Sequence, residues 1–183
     1  MVSDPQDYII DQLSGIGDLH IPFFYLATAN TKAVANFIGA RYVVWQKGYP
    51  VAEEQAITHG VPTVQTGGSV ATCLLDLMVL MGGGPIALVG QDLAFTGGQS
   101  HAIGTHGYRQ TQANFNYIHV TSWDEDGTVP TSKNLQAYLH WFERYVADKP
   151  KGQLWNCTEG GAYIKGFIHA PLIEFVKRFI RKP

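Results

Sequence analysis

Residues 63–90, TVQTGGSVATCLLDLMVLMGGGPIALVG, decide how the chain is expected to fold. Residues 63–66 form a short strand-like run that two glycines close. Ser69 then stands at the N-cap position of a helix that we expect to run to about Met81. Apolar side chains recur along this helix at spacings of three and four, which predicts a buried face made of Val70, Cys73, Leu74, Leu77, Met78 and Met81.

The end of this helix and the start of the next strand are also encoded here. The triple glycine at residues 82–84 is expected to end the helix, and Pro85 cannot continue it. Residues 86–90 (IALVG) are apolar at consecutive positions, which is typical of a central parallel strand covered on both faces. The stretch therefore predicts one strand-helix-strand unit.

The same alternation extends in both directions along the chain. We expect strands at 21–27, 42–45 and 153–157, the last of these closing the sheet, and helices at 31–38, up to residue 57, at 134–147 and at 172–180. Residues 114–131 are expected to form a β-hairpin insert around the turn at 124–127. Repeated units with right-handed crossovers predict an α/β fold, a Rossmann-like, doubly wound and mostly parallel sheet with helices on both faces. We expect one domain over residues 1–183.

Charge is sparse and unevenly distributed along the sequence. Charged residues make up 15% of the 183 positions, whereas ordinary soluble domains have about 25%. Between residues 55 and 108 only Asp76 and Asp92 are charged. A neutral stretch rich in Gly, Ser, Thr and His predicts a buried sheet that runs into a polar pocket, because uncharged donors cost less to bury than ions.

Composition also argues against several classes of protein. A net charge of -2 offers no basic face for a nucleic-acid backbone. No apolar run reaches the roughly 18 residues that span a bilayer, and no signal peptide is visible. Cys73 and Cys157 lack the spacing of a zinc site or a disulfide framework. We expect a cytoplasmic protein with no nucleic-acid binding, no membrane insertion and no metal site.

Three polar segments are candidates for a functional site. Residues 66–69 (TGGS) precede a helix, where free amides favour a phosphate, although a tight turn with a serine cap explains them equally well. Residues 89–96 (VGQDLAFT) place Asp92 at the carboxyl end of a strand, where α/β sheets bind ligands. The alternative is that Asp92 caps loop amides. Residues 156–166 (NCTEGGAYIKG) would line the same edge as Asp92, or form a turn with Glu159 and Lys165 in solvent.

Histidines, acidic residues and one cysteine add weaker candidates. His101 and His106 could transfer protons near neutral pH, but their spacing is poor for a metal pair. Residues 124–126 (DED) are similar to an acidic metal-binding motif of glycosyltransferases, although a solvated hairpin turn is the favoured interpretation. Cys157 could be a nucleophile, but a lone cysteine at a strand end is more often buried.

Four motifs, in this order and spacing, carry a resemblance to a known family: residues 67–71 (GGSVA), 89–96 (VGQDLAFT), 100–102 (SHA) and 158–162 (TEGGA). Together they resemble the motility accessory factor family, whose central domain is of the 6-hydroxymethylpterin diphosphokinase MptE-like type. The resemblance implies a Rossmann-like domain similar to bacterial sialyltransferases. It also implies transfer of a nonulosonic acid, of pseudaminic or legionaminic type, from a CMP-activated sugar to Ser or Thr of flagellin.

The resemblance assigns roles to particular residues. It implies inverting transfer, in which a base takes the proton of the acceptor hydroxyl as CMP leaves. Asp92, His101 and His106 are the implied catalytic residues, with His101 preferred as the base. The implied nucleotide and donor contacts are Gly67, Gly68, Ser69, Gln91, Thr96, Thr131, Ser132, Asn156, Glu159, Gly160 and Gly161. The donor and flagellin would be the partners, and no tightly bound cofactor is expected.

The sequence departs from the family pattern at two places. The glycine-rich Gly-x-Gly-Pro-Ser segment is missing upstream of residues 2–5, so we expect a domain that lacks its first strand and loop. Residues 131–134 (TSKN) stand where the sialyltransferase-like histidine is expected. Two alternatives therefore stay open: an ATP-dependent 6-hydroxymethylpterin diphosphokinase that needs Mg²⁺, and a nucleotide- or partner-binding domain without turnover. The sparse charge favours a homo-oligomer.

Overall fold

A computed structural model describes residues 1–15, 21–99 and 116–180. The chain divides into two compact units, Met1–Gly82 and Gly83–Pro183, each held together by contacts among its own residues. The described strands form one three-stranded and two two-stranded sheets. The class is therefore mixed α/β with parallel pairing, as the sequence predicts. The doubly wound Rossmann-like arrangement and the single domain stay predictions.

Parallel segments of the first unit lie side by side in chain order. β1 (Phe23–Leu26) pairs in parallel with β2 (Arg41–Val44). Single parallel bridges add Val2 beside β1 and Val64 beside β2. The helices that connect and follow these segments are α1 (Tyr8–Gln12), α2 (Thr31–Ala35), α3 (Pro50–His59) and α4 (Val70–Leu80).

Alternation along β1 divides the core of the first unit between two faces. Phe23 packs with Val2 and Phe37, against side chains of α1 and α2. Leu26 packs with Val64 and with α4 on the other face. Because successive strand residues point to opposite faces, a strand that is apolar throughout can be covered by helices on both sides.

The described residues of the second unit form two sheets and two α-helices. The parallel sheet contains β3 (Ile86–Leu88), β6 (Leu154–Asn156) and β7 (Ile168–His169), with β6 in the middle. The antiparallel hairpin contains β4 (Ile118–Thr121) and β5 (Thr128–Thr131). The helices are α5 (Lys133–Ala147) and α6 (Leu172–Phe179), and a single 3-10 turn covers Thr96–Gly98.

Aromatic side chains hold the second unit together. Phe142 of α5 is fully buried and meets Phe167 edge to face, with ring centroids 6.0 Å apart. Phe175 of α6 meets Trp155 of β6 in the same way at 5.7 Å. Such pairs add to the free energy gained by burial. Aromatic contacts therefore pack α6 on the sheet and α5 on the turn that leads into β7.

Most predicted elements are confirmed, with three differences among the strands. Residues 63–66 contribute only the single bridge of Val64, because the chain turns at once into the loop before α4. β3 pairs with β6 and lies at the edge of the sheet that the described strands form, whereas the sequence predicts a central strand. The strand at 153–157 is not the last one, because the two-residue β7 follows it and was too short to leave a periodic pattern.

The buried face of α4 also differs from the prediction. Cys73 is buried as expected and Leu77 is partly buried, but Val70, Leu74, Met78 and Met81 are exposed. Thr72 and Asp76 are buried instead, although both are polar. Both side chains bond the preceding loop, and a hydrogen-bonded polar group can be buried at little cost. Within the residues that the structure covers, no helix is long and apolar enough to cross a bilayer.

Candidate functional site

The loop before α4 follows Val64 at the carboxyl end of the first unit's parallel segments. The side chain of Ser69 accepts a hydrogen bond from the Thr72 amide at 3.4 Å, which confirms the predicted N-cap. The Thr72 hydroxyl donates to the Ser69 carbonyl at 2.6 Å and accepts from the Gly67 amide at 2.9 Å. The Gly67 amide is thus already engaged inside the loop.

Two further amides of this loop keep their donors free. Gly68 has a φ of 93°, which suits glycine, and it turns the chain into the helix. The amides of Gly68 and Ser69 have no acceptor in the described part of the chain. The Gln65 amide, by contrast, donates to the buried carboxylate of Asp76 at 2.6 Å. Thr72 and Asp76 of α4 therefore hold the loop, and the amides of Gly68 and Ser69 remain as donors near the positive end of this helix.

In the second unit, two loops meet at the carboxyl ends of β3 and β6. The Gln91 amide donates to the Thr158 hydroxyl at 3.0 Å. The Ala162 amide donates to the Asp92 carbonyl at 2.7 Å. Since β3 and β6 are parallel, their carboxyl ends lie at one edge, as the sequence predicts for Asp92 and for the first part of the segment 156–166.

Two adjacent glycines of the second loop have different surroundings. Gly161 has a φ of 75° and lies so close to Asp92 that a Cβ atom would overlap the backbone of that residue. Gly160 lies near Thr96, and a Cβ atom there would make an ordinary contact at 3.8 Å. The structure thus brings the predicted residues Gln91, Asp92, Thr96, Gly160 and Gly161 together.

The hairpin insert supports this edge from the outside. The Trp123 amide donates to the Gly161 carbonyl at 2.9 Å, and the Tyr163 amide donates to Thr121 at 2.9 Å. The Trp123 indole also donates to the Asn156 carbonyl at 3.1 Å. The loop that carries Gly161 is therefore held between the Asp92 loop and the hairpin.

Three residues predicted to contact the nucleotide-sugar donor use their polar side chains in hydrogen bonds within the protein. Thr131 is fully buried, and its hydroxyl donates to the Leu93 carbonyl at 2.7 Å. The Ser132 hydroxyl caps α5 by accepting from the Leu135 amide at 3.3 Å. The fully buried Asn156 accepts from the Thr158 amide at 3.2 Å. A ligand role for Thr131, Ser132 and Asn156 stays a prediction.

Glu159 and Lys165 bond to helices. The Glu159 carboxylate accepts from the Leu172 amide at 3.0 Å, so it caps the start of α6. The Lys165 amide donates to the Glu143 carboxylate of α5 at 3.3 Å. The expectation that Lys165 lines the edge of Asp92 is therefore wrong, because the chain turns back toward α5 before β7 begins.

Asp92 contributes an acidic side chain to this edge. Its side chain is exposed, yet the surrounding loops remove enough water to raise the pKa of its carboxyl group. A carboxylate with a raised pKa is a better proton acceptor near neutral pH. His101 and His106, the other predicted catalytic residues, lie outside the described residues.

His169 is a histidine of the second unit that sequence reasoning missed. Its ring stacks on Tyr163 with centroids 4.1 Å apart, and the Ile164 amide donates to its Nε2 atom at 3.1 Å. Burial lowers the pKa of His169, so its neutral form is favoured. Strand β7 is the sequence feature that could have indicated His169, but its two residues are too few to show a periodic pattern.

Both cysteines are buried. Burial raises the pKa of the Cys73 thiol and, together with Glu159 and Glu174, that of the Cys157 thiol. Neither thiol is therefore set up as a nucleophilic thiolate.

The acidic segment at residues 124–126 is the solvated turn that the sequence favours. The Ser122 hydroxyl donates to Asp124 at 2.6 Å, which, with the Asp126 amide, lowers the pKa of Asp124. Among the residues that the structure covers, no three His, Cys, Asp or Glu side chains lie together in a group that could hold a metal ion.

Comparison with known proteins gives one family. The model of the family 6-hydroxymethylpterin diphosphokinase MptE-like matches residues 1–98, more than half of the chain. The match contains Gly67, Gly68, Ser69 and Asp92. It confirms the predicted MptE-like domain, whereas the motility accessory and sialyltransferase-like parts stay predictions. Neither the curated proteins nor the solved structures give a significant match.

The adjacent glycines 160 and 161 test the close approach to Asp92. We expect Gly161→Ala to lower the free energy of unfolding by about 3 kcal/mol or more, because the new Cβ overlaps the backbone and φ is positive. Gly160→Ala is the matched control and is expected to cost less than about 1 kcal/mol. Urea unfolding followed by tryptophan fluorescence measures both, and equal losses would contradict this geometry.

The raised pKa of Asp92 predicts how stability depends on pH. The protonated carboxyl stabilises the fold below its unfolded pKa of about 3.9, and this contribution is lost as pH rises through the higher folded pKa. Asp92→Asn should therefore gain stability relative to the parent as pH rises above the unfolded pKa of about 3.9.

Asp124→Asn is the control for this pH dependence, because the folded pKa of Asp124 is lowered and the sign is opposite. The variant should lose stability relative to the parent as pH rises. Urea midpoints at several pH values measure both differences. A pH-independent difference for Asp92→Asn would refute the expected titration.

Proposed function

Because the chain belongs to the 6-hydroxymethylpterin diphosphokinase MptE-like family, we propose that it is a transferase that uses a nucleotide-activated donor. The donor is a CMP-activated nonulosonic acid, and the acceptor is a Ser or Thr hydroxyl of flagellin. The observation that carries the proposal is Asp92, a carboxyl group with a raised pKa at the carboxyl edge of a parallel sheet. α/β sheets bind their ligands at this edge.

Asp92 acts in this proposal as the base. The acceptor oxygen forms a bond to the anomeric carbon of the sugar while the bond from that carbon to the CMP phosphate oxygen breaks. The proton of the acceptor hydroxyl passes to the Asp92 carboxylate, and the configuration at the sugar inverts. Since the Asp92 side chain is exposed, the proton then leaves to solvent. His101 and His106 are the alternative bases.

The loop before α4 supports a nucleotide role for the first unit. The amides of Gly68 and Ser69 have no described acceptor and stand at the positive end of an eleven-residue helix. Such a helix end favours a phosphate. Gly67 serves this site indirectly, because its amide bonds Thr72 and fixes the turn.

The family name itself favours a second candidate function. A 6-hydroxymethylpterin diphosphokinase transfers diphosphate from ATP to a hydroxymethyl group and uses Mg²⁺. Asp92 could supply one ligand to such an ion, but the described residues hold no group of three acidic, His or Cys side chains. We therefore derive no step through Mg²⁺. A domain that binds a nucleotide or a partner without turnover is the third candidate.

Ligand binding separates these candidates. We expect CMP and a CMP-sugar to raise the melting temperature, because a ligand at 100 times its Kd stabilises the native state by about 2.7 kcal/mol. ATP with Mg²⁺ is the comparison ligand, and GMP is the control for general nucleotide effects. A larger shift with ATP and Mg²⁺ would favour the diphosphokinase. No shift with any of them would favour the third candidate in its partner-binding form, a domain that binds a partner without turnover.

Substitution of Asp92 tests the proposed base. Asp92→Asn should lower the transfer rate by about 10² to 10⁴, the usual range for loss of a general base, and leave CMP binding intact. Asp124→Asn, in the exposed hairpin turn, is the control and should transfer sugar at the parental rate. If Asp92→Asn also keeps that rate, Asp92 is not the base.

A further inference from the structure

A cavity of about 650 Å³ lies in the second unit beside the C-terminal half of α5. Five charged residues line it, together with His140: Arg144, Lys149, Lys151, Lys165 and Glu143. Four basic residues and one acidic residue thus line the same cavity. Uncharged parts of the lining include Val146, Ala147 and Gly166.

The cavity is distinct from the edge that carries Asp92. The C-terminal end of α5 leads toward the start of β6, and Lys165 and Gly166 precede the start of β7. The cavity therefore lies toward the amino ends of these parallel strands. Asp92 and Gly161 follow the carboxyl ends of β3 and β6, at the opposite edge of the same sheet.

The cations of this cavity are not neutralised by neighbouring carboxylates. Across the described ranges, Arg144, Lys151 and Lys165 form no ion pair, and Lys149 lies 4.3 Å from the centroid of the Tyr145 ring. One carboxylate oxygen of Glu143 accepts a hydrogen bond from the Lys165 amide. The helix end contributes only about half a negative charge. The positive charge of four cations is therefore more than the charge needed to balance the negative C-terminal end of α5.

The wall that carries Lys165 is held in place. Gly166 has a φ of 93°, and a Cβ atom there would come within 2.6 Å of Val146 Cγ1. Phe167 follows it and is buried against Phe142. The turn is therefore anchored on α5 on both sides of its backbone. An anchored turn costs less ordering entropy when a ligand binds.

Positive charge is also concentrated in this part of the sequence. Residues 133–183 contain nine Lys and Arg against four Asp and Glu, whereas residues 1–132 contain four against eleven. A protein with a net charge of -2 thus carries a strongly basic C-terminal segment. Four of the nine basic residues in this segment line the cavity beside α5. A local positive field attracts anions even when the whole protein repels them.

We propose that this cavity binds a small, multiply charged phosphate compound, either an oligophosphate or a phosphomonoester. Its volume lies in the range of small-molecule sites, about 300–1,000 Å³. The Arg144 guanidinium can bind a phosphate through two parallel hydrogen bonds, and the lysines add point charges. The site is independent of the proposed transfer reaction, because it lies at the other edge of the sheet.

Titration calorimetry with inorganic triphosphate at 150 mM salt tests the site. The parent should bind with saturation, and the double variant Arg144→Gln/Lys165→Gln should bind at least tenfold more weakly. Lys133→Gln/Lys177→Gln removes the same charge from exposed positions outside the cavity, and it should change Kd less than twofold. Lys151→Gln, an exposed single substitution, should weaken binding severalfold if the double variant fails to fold.

Three comparisons complete the test. Asp92→Asn should keep the parental Kd, which separates this cavity from the proposed transfer site. Glucose 6-phosphate, a phosphomonoester, is the second ligand. Tighter binding of triphosphate would identify an oligophosphate site, and tighter binding of glucose 6-phosphate would identify a phosphomonoester site. Absence of saturable binding to both probes, or equal weakening by the two double variants, would overturn the proposal.

Discussion

The close approach of Gly161 to the backbone of Asp92 is the constraint on which the site of the second unit depends. The Ala162 amide reaches the Asp92 carbonyl at 2.7 Å because residue 161 has no side chain and adopts a positive φ. This bond joins the loop after β3 to the loop after β6. The Trp123 amide then links the Gly161 carbonyl to the hairpin. These bonds connect the Asp92 backbone to segments that are far apart in the sequence, and burial by the surrounding loops raises the pKa of the Asp92 carboxyl group.

Local patterns in the sequence were enough to predict most of the elements. Ser69 and Ser132 both cap helices, because a serine before an apolar periodic run has a direct physical role at a helix start. The pairing of strands depends on partners distant in the chain, so the position of β3 in its sheet could not be predicted. The burial of Asp76 could not be predicted either, since it depends on the Gln65 amide that the loop brings to it.

The candidate site shows the same division between local and distant information. That Asp92 and Gly161 share an edge follows from the rule that parallel strands end together. The buried bond from Thr131 to Leu93, and the turn of Lys165 toward α5, depend on packing between side chains that no spacing encodes. The family model confirms the MptE-like domain over residues 1–98, which include Asp92 but neither Gly161 nor the basic cavity. The part of the chain beyond that match is therefore understood from its contacts alone.

The two buried cysteines have a practical consequence for how the chain can be studied. Cys73 lies in the first unit and Cys157 in the second, and each is 2% exposed. A thiol reagent can modify such a side chain only when the surrounding structure opens. The alkylation rate of each thiol therefore reports how often the structure of its own unit opens. The natural sequence thus contains two internal probes that can tell whether the halves of the chain unfold together or one at a time.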